Sequence, residues 1–500
     1  MKGSSFWLAV TACLVLLAAP ALFGFDFSAL EKSVSETTLD NGLKIIVMER
    51  HDAPVASFVT FANVGGVDDP KEYTGLAHML EHMAFKGTTT LGTTDLEAEL
   101  KAMAVEDSIW ALLRAERKKG LQADSTRLTE LQIAFDDAIE AANEYVKSNE
   151  FNHILKKEGG ISINAGTGKD HTGYIVSLPS NKLELWMAME SERFLNPVLR
   201  EMYRERNVIV NERLQVLDNN PISRTIDAMA STAFSAHPYG ISIIGHMSDI
   251  ENYNRDAVRE YFKKYYIPSN LIVAIVGDVK PKEVFKLAKK YWGRIPSGPK
   301  PERVATIEPP QKGEKRVTLH DPAQPLFAVA YHIPSGTHPD WPIFEAISDY
   351  LGQGRTSLLY KNLVKEKKIA SNVGTWAGYP GNKYPCLCFA YAMPATGHTN
   401  EECEEQILAE IERLKDELIP VEEVEKIKAR AKAGFVNGLR DNMGMAYQLA
   451  AYENDWGGWR EMFRELDRIN AVTPEDIQRV AKEYFTEENR TIAKLNTVEG

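Results

Sequence analysis

The spacing of apolar residues changes several times along this chain, and each change marks an element. Lys44 to Glu49 and Val55 to Ala62 are short runs rich in Val, Ile and Phe behind an Asn41-Gly42 turn, and they predict strands. From Gly75 the period lengthens: Leu76, Met79, Leu80 and Met83 recur at three- and four-residue steps, which predicts a helix with one apolar face, stopped at Gly87. A second helix starts at Asp95. To about Lys157, Leu112, Leu121, Leu128, Leu131, Phe135 and Ile139 lie scattered among charged residues, the pattern of a helical hairpin turning near Gly120. Ile161 to Thr167 and Thr172 to Leu178 predict strands. Lys182 to Arg193 and Pro197 to Leu217 predict helices, Asn270 to Gly277 a strand, and Pro281 to Trp292 a helix.

Residues 298–314, rich in Pro, Gly and charge, read as a linker, after which the pattern starts again. Val317 to Leu319, Asp321-Pro322 and Leu326 to Ile333 match the early strands and their Asp52-Ala53-Pro54. Trp341 to Leu351 is again a helix followed by Gly352. Near the end, Thr473 to Tyr484 and Asn489 to Leu495 match Tyr253 to Tyr265 and Asn270 to Gly277. The separation from Asp52 to Asp321 exceeds that from Asn270 to Asn489 by 50 residues, close to the length of the charged hairpin. The expected fold class is therefore α+β: two homologous units, 30–297 and 315–500, with a helical insertion at about 104–157 in the first.

Candidate chemistry sits on the Gly75 helix. His78 and His82 are four apart, so both imidazoles leave one face a turn apart, with Glu81 beside them. This H-x-x-E-H order suits Zn²⁺, which takes neutral imidazoles and leaves a position for water, while a neighbouring carboxylate can act as general base. The competing reading is a solvated face with two unrelated histidines. A third ligand is needed, and Glu201, Glu205 and Glu212 are the carboxylates on offer. Glu205 and Glu212 are two turns apart on one helical face, and spacing does not choose between them. The matching helix of the second unit, Phe344 to Asp349, has no histidine, so only the first unit can hold the metal this way.

Composition narrows the context. Five hundred residues are too many for one core, and 44% hydrophobic with 26% charged residues is ordinary for a globular protein. A net charge of −12 with no basic run argues against a nucleic-acid partner. Lys2, the apolar run Phe6 to Leu17 and Ala19-Pro20-Ala21 predict a leader over residues 1–24, hence an exported protein, periplasmic or extracellular. Val10-Thr11-Ala12-Cys13 resembles a lipoprotein cleavage box, although the apolar run continues past Cys13; an uncleaved anchor is a further alternative. No later stretch is long enough to span a bilayer. Cys386, Cys388 and Cys403 are an odd set after leader removal and imply no disulfide framework. Cys386 and Cys388 alternate within an apolar run and read as core.

Taken together, these stretches resemble the pitrilysin/insulinase family of inverzincins, in the branch that includes mitochondrial processing peptidase. The matching segments are His78 to Thr88, the Asn164-Ala165 strand, Glu205 to Glu212, His237-Pro238-Tyr239-Gly240 and Gly354-Arg355-Thr356-Ser357-Leu358. The resemblance implies a duplicated α/β-sandwich forming half of a clamshell. It implies Zn²⁺ on His78, His82 and Glu212, with Glu81 as general base and Glu205 supporting the site from behind a ligand. Asn164 and Ala165 would lie on an edge to which an extended peptide substrate adds as a strand. One departure stands out. Active relatives, or their partners, hold substrate with an Arg and a Tyr where this chain has Val364 and Ser371, neither of which can bind an oxyanion that way. The expectation is a zinc endopeptidase half that needs a companion subunit supplying that pair. A weakly active homodimer and a non-catalytic scaffold subunit are the alternatives.

Overall fold

The computed structural model describes residues 27–498; the expected leader and Cys13 lie outside them. Six strands form the first sheet: β1 (Val34–Thr38), β2 (Lys44–Glu49), β3 (Val55–Ala62), β4 (Ile161–Thr167), β5 (Thr172–Pro179) and β6 (Leu271–Gly277), in the order β1-β2-β6-β3-β5-β4. The second sheet contains β7 (Lys315–Asp321), β8 (Leu326–Ile333), β9 (Ala370–Tyr379), β10 (Cys386–Pro394) and β11 (Arg490–Thr497), in the order β7-β11-β8-β10-β9. Apart from β1, the two orders are the same walk through equivalent strands, with one parallel pair in each, β2 with β6 and β7 with β11. The mixed α/β architecture is thus duplicated.

Strand alternation explains how the halves join. Ile45, Val47, Phe58, Val273 and Ile275 face the helices of their own unit. Ile46, Met48, Val59, Phe61, Ala274 and Val276 point the other way, and Met445, Ala446 and Leu449 of the helix Asn442–Trp456 cover them. Every residue of β6 is buried for this reason, and its sequence is continuously apolar. The exchange is reciprocal: the helix Pro221–Ala233 puts Met229 and Ala233 into the core beneath the second sheet. Each half therefore completes the other's sandwich. Residues 296–314 form no helix or strand, yet they are tied down on both sides. Glu308 accepts backbone N–H bonds from Ser235, Ala236 and His237, and Gln311 donates to the Arg490 carbonyl.

The charged segment is a hairpin of Leu96–Arg117 and Ser125–Asn143 that turns at Gly120, where φ is +57°, followed by a short helix Glu150–Lys157. A buried Arg255 pins its base: the guanidinium donates to Glu106 at 2.5 Å, and to the Met103 and Leu199 carbonyls at 3.1 Å. One expected helix is shorter than its apolar pattern. Pro197 forms an isolated antiparallel bridge with Thr88 and Glu201 has φ +56°, so the helix starts at Met202 and runs to Arg213, with a π turn at Leu214–Asp218. The three cysteines among the described residues are buried and unpaired. No helix among the described residues is long and apolar enough to cross a membrane.

Candidate metal centre

The helix Leu76–Met83 is held from three sides. Leu76, Met79, Leu80 and Met83 bury its apolar stripe in the first core. Its N-terminus is capped from a distance: Asp69 accepts from the backbone N–H of Gly75 at 2.7 Å and of Ala77 at 2.9 Å. Burial pushes the Asp69 carboxyl up to about 7, against the pull of those two bonds. Gly75 has φ +90°, and a Cβ there would meet the Ile244 carbonyl oxygen at 2.2 Å. Gly75→Ala is accordingly expected to destabilise the fold by about 2 kcal/mol or more. Equilibrium denaturation checks this, and a wild-type midpoint would refute it.

That anchoring turns His78, Glu81 and His82 toward the helix Met202–Arg213 and toward β4. His78 Nε2 lies 3.7 Å from one carboxylate oxygen of Glu212, and His82 Nε2 lies 3.4 Å from the other. Donor atoms of the three residues all lie within 4.8 Å of one another, and they form the one such group among the described residues. Ligand atoms around a tetrahedral Zn²⁺ sit about 3.4 Å apart. The donor set and spacing therefore fit the ion that the H-x-x-E-H order suggests. Glu212 and not Glu205 faces both imidazoles, a choice that spacing left open.

Glu205 lies behind His82. Its carboxylate is 3.3 Å from His82 Nδ1 and accepts from Lys86 Nζ at 2.5 Å. This leaves Nε2 of His82 as the atom facing the centre and favours one ring orientation. Burial raises the Glu205 carboxyl, but the bonds from His82 and Lys86 outweigh it and hold it below its usual range. Burial likewise lowers His82, yet the bond to Glu205 and the Glu212 charge raise it overall. His78 is only 7% exposed, and burial, then the neighbouring His82, brings it down to about 4. It stays neutral, the form that binds a metal. Its Nδ1 has no hydrogen-bond partner among the described residues.

Glu81 projects beside this group without joining it. Burial raises its carboxyl above the usual range, while a 2.6 Å hydrogen bond from the Thr167 hydroxyl lowers it in part. Thr167 ends β4, the outermost strand of the first sheet. Asn164 and Ala165 lie on that strand, paired with Ile175 and Tyr174 of β5, and its other edge has no strand partner among the described residues. The metal helix packs against β4. Sequence reading found this edge but missed Thr167, whose only signal is its place at the end of the strand. It also missed the roles of Lys86 and Arg200. Arg200 is fully buried, with its guanidinium on Glu99 at 2.7 Å and on the carbonyls of Lys86, Thr88 and Leu91 at 2.8–2.9 Å. It fixes the loop that leaves the metal helix.

In the second unit, Val364 is half-buried on the π turn Tyr360–Glu366. The exposed Ser371 lies on β9, donating to the Met393 carbonyl at 3.1 Å and accepting from Gln324 at 3.0 Å.

Comparison with known proteins bears on the family and the fold. The family model described as Insulinase (Peptidase family M16) matches residues 44–110 and 138–246, and that described as Peptidase M16 inactive domain matches 252–431. A zinc protease, PqqE, of Helicobacter pylori is 28% identical over 92% of this chain and 91% of its own. A probable mitochondrial-processing peptidase subunit beta of Schizosaccharomyces pombe is 22% identical over 95% and 94%. A crystal structure of a protease from Helicobacter pylori superposes with TM-score 0.77 at 26% identity, covering 93% of this chain and 99% of that one. The periplasmic protease PqqL from Escherichia coli shares the fold with TM-score 0.69 at 17% identity, but this chain covers only 48% of its length. With family models over both sheets, the repeated topology and the H-x-x-E-H helix all in agreement, this chain belongs to the insulinase family of peptidases, M16.

Proposed function

We propose that this protein is a zinc-dependent endopeptidase acting on unfolded peptides, with its catalytic centre in the first unit and a companion half-clamshell completing the chamber. The observation that carries the reading is the convergence of His78, His82 and Glu212 on one point, with Glu81 beside them and outside the donor set. His78 Nε2, His82 Nε2 and Glu212 would hold the ion. A bound Zn²⁺ supplies a Lewis acid that polarises the scissile carbonyl and acidifies water. Glu81 takes the proton from the attacking water and returns it to the leaving amine. Thr167 holds the Glu81 carboxylate in place, and Glu205 with Lys86 holds His82. The unpaired edge of β4 lies beside this group and can receive an extended peptide as a further strand, with Asn164 and Ala165 along it. Substrate would then be fixed by backbone bonds, and cleavage would demand an unfolded segment more than a particular side chain.

The need for a companion rests on Val364 and Ser371, which replace the substrate-holding Arg and Tyr of the family pattern. PqqL, about twice this length, offers a second half within one chain, and the fission-yeast relative is named as a subunit. The same two residues keep the scaffold reading as the second one. The test is metal analysis together with cleavage of an unstructured quenched peptide by the exported form. We expect one zinc per chain, falling to near zero in His78→Ala and Glu212→Gln, and cleavage that rises when a family member carrying the Arg/Tyr pair is added. Zinc bound without cleavage under either condition favours the scaffold. Absence of zinc refutes the metal assignment.

A further inference from the structure

The inserted hairpin has no part in that chemistry, yet it builds a cleft against the far side of the Glu205 helix. The cleft encloses about 460 Å³, a size typical of small-ligand sites. At its floor lies Arg206, only 7% exposed. Its guanidinium carbon sits 4.3 Å from the Trp110 ring centre, 5.4 Å from that of Tyr203 and 5.7 Å from that of Phe135. No carboxylate or carbonyl among the described residues accepts from it, and Nη1 is buried without a partner. The contrast with Arg200 and Arg255 is sharp, since both are saturated with acceptors. Aromatic rings hold a cation in place but do not satisfy its N–H groups, and an ionised group buried without an acceptor is costly. Burial lowers Arg206 only to about 10, so it stays charged at neutral pH.

The mouth of the cleft carries the complementary chemistry. The exposed Arg117 reaches over the same Trp110, with its guanidinium carbon 5.5 Å from the ring centre. Asp136 and Glu251 line the rim as exposed carboxylates, and neither forms an ion pair with a described residue. Ile139 and Val210 supply an apolar wall. Rim carboxylates repel a dianion such as phosphate, while a single carboxylate can reach the two arginines if its own positive group meets the rim acids.

We propose that this cleft binds the zwitterion of a free α-amino acid with an apolar side chain, its carboxylate on Arg206 and Arg117 and its ammonium at Asp136 and Glu251. Arg117, Phe135 and Asp136 come from the interval 111–137 between the matched segments of the insulinase family model, whereas Arg206 and Val210 come from the helix that carries Glu205. The site thus belongs to this insertion and leaves Glu81 untouched.

Calorimetric titration of the full exported chain with L-leucine tests this. Binding is expected, weakened tenfold or more with L-leucinamide, which lacks the carboxylate, and with 4-methylpentanoate, which lacks the ammonium. Arg206→Lys and, because a floor variant can fail to fold, the exposed Arg117→Ala should each weaken leucine binding at least tenfold. The second should do so at an unchanged melting temperature. No heat with millimolar leucine, equal affinity for leucinamide, or unaltered binding by Arg117→Ala overturns the proposal. The readout is independent of peptide cleavage, so it does not stand or fall with the zinc centre.

Discussion

Replacing Glu81 by Gln is expected to slow peptide hydrolysis about a thousandfold while zinc content stays at the wild-type level. The physical case is narrow. Glutamine keeps the length of the side chain, and its amide oxygen can still accept the Thr167 hydroxyl now 2.6 Å from the carboxylate. What it loses is the ability to take a proton. Glu81 stands outside the three-donor group, so metal should be retained. Burial raises its carboxyl above the usual carboxylate value, against the pull of the Thr167 bond, and so makes it a stronger base. Steady-state cleavage of a quenched peptide, with zinc measured on the same sample, separates the outcomes. A rate within a few-fold of wild type removes Glu81 from the mechanism. A loss of zinc along with activity moves it into the ligand set.

Arg200→Met should be the most damaging change away from the centre, at about 3–5 kcal/mol, because removing one partner leaves an uncompensated buried charge. The charge left behind is that of Glu99, whose side chain is entirely buried and which receives two bonds from the guanidinium, at 2.7 and 3.2 Å. The carbonyls of Lys86, Thr88 and Leu91 lose their donor in the same step. At about 2–4 °C per kcal/mol for a domain of this size, the unfolding transition should fall by roughly 10 °C. Glu99→Gln combined with Arg200→Met should recover part of the loss, since the orphaned charge is then gone. A single variant that melts with the wild type would mean the loop is held by other contacts. The loop also carries Lys86, which grips Glu205, so surviving protein should bind zinc more weakly.

Where local chemistry repeats, the sequence was a sufficient guide. The 3.6-residue stripe of Leu76, Met79, Leu80 and Met83 specifies both the helix and the side it buries in the first core, and it leaves His78 and His82, four residues apart, to face Glu212 together. The apolar runs of β2, β3, β6 and β8, the match of β11 to β6, and the missing histidine in the second helix were all readable, because each depends on residues a few positions apart. The duplication was legible for the same reason, as a pattern repeated at a near-constant offset.

Contacts between distant residues were not legible. Nothing in the spacing of Glu205 and Glu212 says which carboxylate faces both imidazoles; the seating of the helix Met202–Arg213 decides it, and the Thr88–Pro197 bridge and Glu201 backbone place that helix's start. Thr167 meets Glu81 only because β4 is the edge strand beside the metal helix. Arg200, Arg206 and Arg255 read alike in sequence, as cations among other charges, yet two are saturated and one is left without an acceptor. Nor does either repeat reveal that its neighbour covers the back of its sheet. By itself the sequence determined the elements, their repetition and the His-Glu-His set that is the candidate for chemistry, since these follow from local periodicity and residue type. Only the tertiary structure decided which carboxylate faces both imidazoles, which one Thr167 holds beside them, and which buried arginine lacks an acceptor, because those depend on which side chains share one small, poorly solvated space.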